Sequence, residues 1–151
     1  MNWVLIPFQG IESGNIGISF GQSRTSVREL LAADFKAPRK NESYLDEDDF
    51  ITPDDSTFIR IRYDQGDRVR DIEFLAGSLR HQGVDLHDCT TLESFRQYLS
   101  SIGGTLRSTK WLGDGWDCVL LGLNVASHED VGGDGDEIEW VILSRAYGSS
   151  D

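Results

Sequence analysis

Phe58-Ile59-Arg60-Ile61-Arg62-Tyr63, then Asp64-Gln65-Gly66-Asp67, then Val69-Arg70-Asp71-Ile72-Glu73-Phe74-Leu75 is the stretch around which the rest of the chain organises. Two runs rich in β-branched and aromatic residues flank an Asp- and Gly-bearing turn, the pattern of an antiparallel hairpin. Alternation puts Ile59, Ile61 and Tyr63 on one face and Arg60 and Arg62 on the other, which predicts a sheet with one buried and one wet side. Arg60, Arg62, Arg68 and Arg70 then form a small basic island on the hairpin. Pairing across the sheet with Asp71, Glu73 or the acidic loops is its expected use.

Upstream, Ser23 can cap a helix whose Val27, Leu30, Leu31 and Phe35 share one face, with Pro38 expected to end it. Downstream, Thr90 or Thr91 caps a second helix, and Glu93 stands three after Thr90 as in a capping box. Phe95, Tyr98, Leu99 and Ile102 form its apolar stripe, and Gly103-Gly104 closes it. Residues 118–125 and 138–143 read as a second strand pair separated by an acidic loop over 127–136. The expectation is a single α+β domain over 1–151, with two helices packed on one face of an antiparallel sheet. Val27-Arg28-Glu29-Leu30-Leu31 lines up with Phe95-Arg96-Gln97-Tyr98-Leu99, and nearly the same separation carries Val69, Ile72 and Phe74 onto Ile138, Val141 and Leu143. Tandem helix-plus-hairpin repeats over 16–77 and 86–146 would account for this, although any α+β domain with two helices aligns in a similar way.

The chain has 151 residues and enough apolar and aromatic content for one ordinary core. Its 26 acidic against 14 basic residues give a net charge of -12, which repels phosphate backbones and anionic lipid and disfavours nucleic acid as a partner. Solubility and attraction to a basic protein surface both fit that charge. The opening Met1-Asn2-Trp3-Val4-Leu5-Ile6-Pro7-Phe8 lacks a basic flank and is broken by Pro7, so it reads as a first strand rather than a signal peptide. No apolar run approaches the length of a membrane span. Cys89 and Cys118 are the only cysteines, and a cytoplasmic location with both thiols reduced is expected.

The stretch Ile16-Gly17-Ile18-Ser19-Phe20-Gly21-Gln22-Ser23-Arg24-Thr25-Ser26-Val27-Arg28-Glu29-Leu30-Leu31, followed by a hairpin carrying Asp64, Gly66, Asp67 and Val69, resembles the helix-then-hairpin unit of the β-lactamase-inhibitor-protein and outer-membrane assembly lipoprotein superfamily. There a Gly, a capping Ser or Thr and a Val open the helix. The resemblance covers about one third of the chain and departs from the lipoproteins in lacking a signal peptide and lipid-bearing cysteine. Small acidic proteins of this kind are similar to the immunity proteins that bacteria encode beside polymorphic toxins. The resemblance implies a non-catalytic protein that binds a cognate toxin, with a basic surface or cleft, and neutralises it one to one. A non-catalytic adaptor and a small carboxylate-dependent enzyme are the alternatives.

Acidic residues cluster twice. Asp46, Glu47, Asp48, Asp49, Asp54 and Asp55 fall between the first helix and first hairpin, interleaved with Tyr44, Leu45, Phe50 and Ile51. Glu129, Asp130, Asp134, Asp136, Glu137 and Glu139 fall in and after the second loop. Solvated loops are the bland reading; apolar anchors within an acidic rim, suited to fast association with a basic partner, are the sharper one. The partner-binding residues expected on that basis are Tyr44, Asp46, Glu47, Asp48, Asp49, Phe50, Asp54, Asp55, Asp130, Asp134 and Asp136. Trp111 and Trp116 flank Gly113-Asp114-Gly115 as core residues or as an exposed anchor.

Other chemistries fit poorly. From Asp130, a calcium loop would need an oxygen ligand at Gly132 and a bidentate acid at Val141. Cys89, Cys118, His81, His87 and His128 lack paired zinc-ligand spacing. His87-Asp88-Cys89 supplies no orienting third group for a nucleophile. No phosphate-cradling or dinucleotide motif occurs, and no cofactor is expected. Paired carboxylates leave carboxylate-driven hydrolysis open.

Overall fold

The computed structural model describes residues 1–38, 45–110 and 112–148. Twelve strands form two sheets among the described residues. The small sheet contains β1 (Asn2–Ile6), β2 (Gly10–Ser13), β3 (Ile16–Ser19), β7 (Ser78–His81) and β8 (Val84–Asp85), in the order β3-β2-β1-β7-β8. Its β1 and β7 are parallel, and the other pairs antiparallel. The large sheet contains β4 (Glu47–Ile51), β5 (Phe58–Tyr63), β6 (Val69–Ala76), β9 (Arg107–Ser108), β10 (Trp116–Cys118), β11 (Leu123–Ser127) and β12 (Ile138–Leu143). It is antiparallel throughout, ordered β4-β5-β6-β12-β11-β10-β9.

The fold is therefore α+β, but with more strand than the sequence pattern conveys, and the helices do not cover one face of the large sheet by themselves. Trp3, Leu5, Ile11, Ile18, Leu79 and Leu86 of the small sheet and its following turn belong to the same buried cluster as Val27 and Leu31 of α1 (Arg24–Leu31), Phe95 and Leu99 of α2 (Leu92–Ser101) and Ile59, Ile61, Ile72 and Phe74 of the large sheet. A second sheet completes the layer, because two helices of two to three turns are too small to bury that face.

Local chemistry fixes both helices. The Ser23 side chain accepts from the Ser26 N–H at 3.2 Å and Thr91 from the Ser94 N–H at 3.1 Å, satisfying donors at each open end. Glu93 forms no capping box, since Thr91 rather than Thr90 is the cap. The first helix ends at Leu31, well before Pro38; one further turn bonds the Phe35 N–H to the Leu31 carbonyl, and the Lys36 N–H then leaves the helix to donate to the Ile51 carbonyl on β4. Gly103, at φ +85°, and the Gly104 N–H bonded to the Leu99 carbonyl close α2 in the left-handed manner that favours glycine. The segment 118–125 is not one strand. It folds back between β10 and β11, with the Gly122 N–H bonded to the Cys118 carbonyl.

The second half repeats the hydrogen bonding of the first. In one small-sheet hairpin Glu12 faces Gly17 and Ser13 faces Ile16; in the other Arg80 faces Asp85 and His81 faces Val84. Val69 donates to Gln22 and Arg24 to Asp67, as Ile138 donates to Thr90 and Leu92 to Asp136. The β5–β6 register shifts between Arg62 and Tyr63, and the β11–β12 register between Ala126 and Ser127. At the β6–β12 seam Glu73 faces Ile142, flanked by Phe74–Val141 and Ile72–Leu143. Matching these hydrogen bonds and registers sets Arg24 against Leu92, Arg28 against Arg96, Asp48 against Trp116 and Tyr63 against Ser127.

Candidate interaction surface

The centre of the first acidic cluster is a strand rather than a loop, while Asp46, Asp54 and Asp55 lie in turns and bends on either side. Glu47–Ile51 is the edge strand β4, and its alternation sends Asp48 and Phe50 to the inner face. Phe50 is 1% exposed and packs edge-on against Phe35, so it is a core residue rather than a surface anchor. The Asp48 side chain, 2% exposed, accepts from Arg24 Nη2 at 2.9 Å and Nε at 3.2 Å. It also accepts from Arg28 Nη2 at 2.7 Å and Nε at 2.9 Å, and from the Tyr63 hydroxyl at 2.9 Å. Burial alone would push this carboxyl up, but the bonds from Arg28, Arg24 and Tyr63 outweigh it and hold it below the usual aspartate range. Burial, with the Asp48 charge beside it, pushes the Tyr63 phenol far up, so it stays a donor.

On the opposite face the same strand completes a charge ladder. Asp49, Arg60 and Glu73 stand in register across β4, β5 and β6, and Glu47, Arg62 and Asp71 form the next rung. Arg60 Nε lies 2.7 Å from Asp49 Oδ1, Arg62 Nη2 2.7 Å from Glu73 Oε1, and Arg62 Nε 3.4 Å from Glu47 Oε2. Arg60 and Arg62 of the basic island pair across the sheet as expected, with Glu47, Asp49 and Glu73 as counter-charges, whereas Arg70 pairs with its neighbour Asp71 and Arg68 donates to the Gly21 carbonyl. Of the first cluster, Asp46, Asp54 and Asp55 remain exposed. Bonds from Ser56 hold Asp54 at about 2, and Asp55 pairs with Lys36 Nζ at 3.1 Å. Beside Asp46, Leu45 is 77% exposed. Tyr44 and Trp111 lie outside the described residues.

The second cluster is more open. Residues 128–137 connect β11 to β12 where the first half needs only 64–68, and the longer connection carries a 3₁₀ turn, Glu129–Val131. Two of its acids serve the fold: Asp130 Oδ2 accepts from the Ser127 N–H at 2.9 Å and the Trp116 indole at 3.2 Å, and Asp136 Oδ2 accepts from the Glu93 N–H at 3.1 Å at the start of α2. An acid at that helix end is favoured by its free N–H groups. Glu129, Asp134 and Glu137 are exposed, and Val131 among them is 37% exposed. Trp116 is half-buried, with the Arg96 guanidinium 4.6 Å from its ring centroid. His128 Nε2 lies 3.2 Å from Glu139.

A groove of about 480 Å³ on the outer face of the large sheet brings Asp71, Glu73 and Asp114 beside Arg60, Arg62, Trp140 and Tyr147. Glu73 and Asp71 are held there by Arg62 and Arg70. His87 Nε2 sits 3.2 Å from the Glu139 carbonyl, while exposed Cys89 lies by Asp88. Burial pushes the Cys118 thiol up. Among the described residues no group of His, Cys, Asp and Glu could hold a metal ion, and no helix is long and apolar enough to cross a membrane.

The ligands of Asp48 escaped sequence reading, because one acid in a run of four carries no mark of burial and Arg24, Arg28 and Tyr63 are remote in sequence. Compared with models of known families, with curated proteins and with solved structures, the chain matches none.

Proposed function

We propose that this chain is a non-catalytic binding protein of the immunity type, built from two copies of one hairpin-helix-sheet unit, that neutralises a basic bacterial toxin by one-to-one association. The observation that carries this reading is the extended acidic connection 128–137, with Glu129, Asp134 and Glu137 exposed around Val131. Arg24, Arg28, Arg60 and Arg62 are turned toward carboxylates elsewhere, and Arg96 lies over Trp116. Arg96, over Trp116, and His128, beside Glu137 and Glu139, lie at this end, where Glu129, Asp134 and Glu137 stay exposed. An apolar contact inside an acidic rim suits an electrostatically steered protein interface.

Co-expression with the product of the gene encoded immediately upstream tests the reading, scoring growth rescue and co-purification together. Rescue with a one-to-one complex is expected. A harmless neighbour, or rescue without a complex, overturns stoichiometric neutralisation.

A further inference from the structure

His87 is a buried histidine placed where two strands part. The pairing of β6 with β12 ends at Phe74–Val141, although β6 runs on to Ala76 and β12 begins at Ile138. His87 stands at that opening: its ring centroid lies 6.1 Å from that of Phe74, and its Nε2 lies 3.2 Å from the Glu139 carbonyl. A carbonyl only accepts, so Nε2 carries the proton and Nδ1 the lone pair. His87 is 8% exposed, and Nδ1 is buried without a hydrogen-bond partner.

This contact closes a joint. Beside it the Ile138 N–H donates to the Thr90 carbonyl at 2.9 Å and the Leu92 N–H to the Asp136 carbonyl at 2.8 Å, so residues 87–92 hold 136–139 at the root of the acidic connection. A second proton on the ring goes to Nδ1, where it meets no acceptor, and a buried charge with an unmet N–H is unfavourable. Few charges face the ring. Asp85 and Asp88 belong to its own segment, where Asp85 Oδ1 accepts from the His87 and Asp88 N–H groups at 3.0 Å. Glu139 of β12 turns its carboxylate to His128 at 3.2 Å, and Phe74 of β6 brings no charge. Burial pushes the imidazole below the ordinary histidine value, outweighing the Glu139 carbonyl, Asp85, Asp88 and the Gly77 backbone, which favour the charged ring. What His87 contributes to the joint is therefore whole above the ordinary value and lost as pH falls from there through the folded one.

We propose that His87 is an acid-released latch: neutral, it holds the entrance of α2 against β12 at the root of the 128–137 connection, and its protonation frees that root. Its bearing on partner binding rests on the acidic connection being the interface; the latch itself belongs to the free chain.

The test uses the full chain alone. Hydrogen exchange of the Ile138 and Leu92 amides, corrected for its intrinsic pH dependence, is followed by NMR from pH 7 to pH 5, a range in which carboxylates stay ionised. Opening at both amides should exceed that at Ile61 in β5. It should rise in acid by about threefold or more and at most about thirtyfold, the limit for a freed group of ordinary histidine value at pH 5. His87→Gln, whose amide can donate to the same carbonyl but does not titrate, should abolish the rise. Because that variant also alters packing, the His87 ring nitrogen shifts are the second readout, expected to show the proton on Nε2 at neutral pH and protonation in step with the opening. Equal rises in both proteins, opening no greater than at Ile61, or a ring that protonates at the ordinary value without loosening either amide would overturn the latch. Each of these leaves the acidic interface to be judged by co-expression.

Discussion

Replacing Asp48 by Asn keeps the shape of the side chain and removes the charge that two guanidiniums and a phenol converge on. Arg28 is 45% exposed at its side chain and can return to water, so its share of the loss is small. Arg24, 17% exposed, and Tyr63, 1% exposed, cannot do so without disturbing the core. Removing one partner of a buried pair costs about 3–5 kcal/mol. One acceptor oxygen survives in Asn, so the lower end, about 3 kcal/mol, is expected, which for a chain of this size lowers Tm by about 6–12 °C. Urea unfolding followed by fluorescence measures it, with an unchanged slope showing that the same surface is exposed.

The effect is pH-dependent in a defined direction. The folded carboxyl sits below its unfolded value, so its contribution is whole above the ordinary aspartate range and lost as pH falls through the folded value. The gap between the two proteins should be widest near neutrality and close in strong acid. A loss under about 1 kcal/mol, or a gap that does not narrow in acid, would mean that the cluster behaves as a surface ion pair and that the reasoning is wrong. Leu92 and Trp116 occupy the corresponding places in the second half. Replacing the buried members of the cluster by Arg24→Leu, Asp48→Leu and Tyr63→Phe, with half-exposed Arg28 left free to turn to water, should accordingly recover much of what Asp48→Asn loses.

Phe50→Ala should destabilise by about 3–5 kcal/mol, measured in the same urea titration, because the ring fills the core beside Phe35. Gly10→Ala should fail to give stable protein in thermal melts, since a Cβ there collides with the Ile18 carbonyl across the β2–β3 hairpin and φ is +153°. Reversing Glu129, Asp134 and Glu137 to Lys should leave urea stability within about 0.5 kcal/mol while slowing partner association, with an effect that fades in salt. The same reversal at Asp46, Glu47, Asp48 and Asp49 should instead unfold the chain, as circular dichroism would report, because Asp48 and the ladder acids hold the sheet together.

What short-range chemistry controls could be read from neighbouring residues alone. Ser23 and Thr91 cap helices with their own neighbours' N–H groups, Gly103 ends one by its backbone freedom, and the alternation of Ile59, Arg60, Ile61 and Arg62 orients a hairpin wherever it is placed. Val27 and Phe95, and Ile72 and Val141, which the spacing sets against each other, are all core residues. The rest depended on contacts between distant parts of the chain. Of the small sheet only β1 was legible, as the apolar run at the start of the chain; β2, β3, β7 and β8 are too short for period two to stand out, and β7 pairs with a strand far away in the chain, β1. Glu47, Asp48 and Asp49 read as solvated charge until Arg24, Arg28, Arg60 and Arg62 arrive from other elements. A carboxylate's cost of burial is set by the donors that meet it, and those are supplied by the fold rather than by the residues on either side.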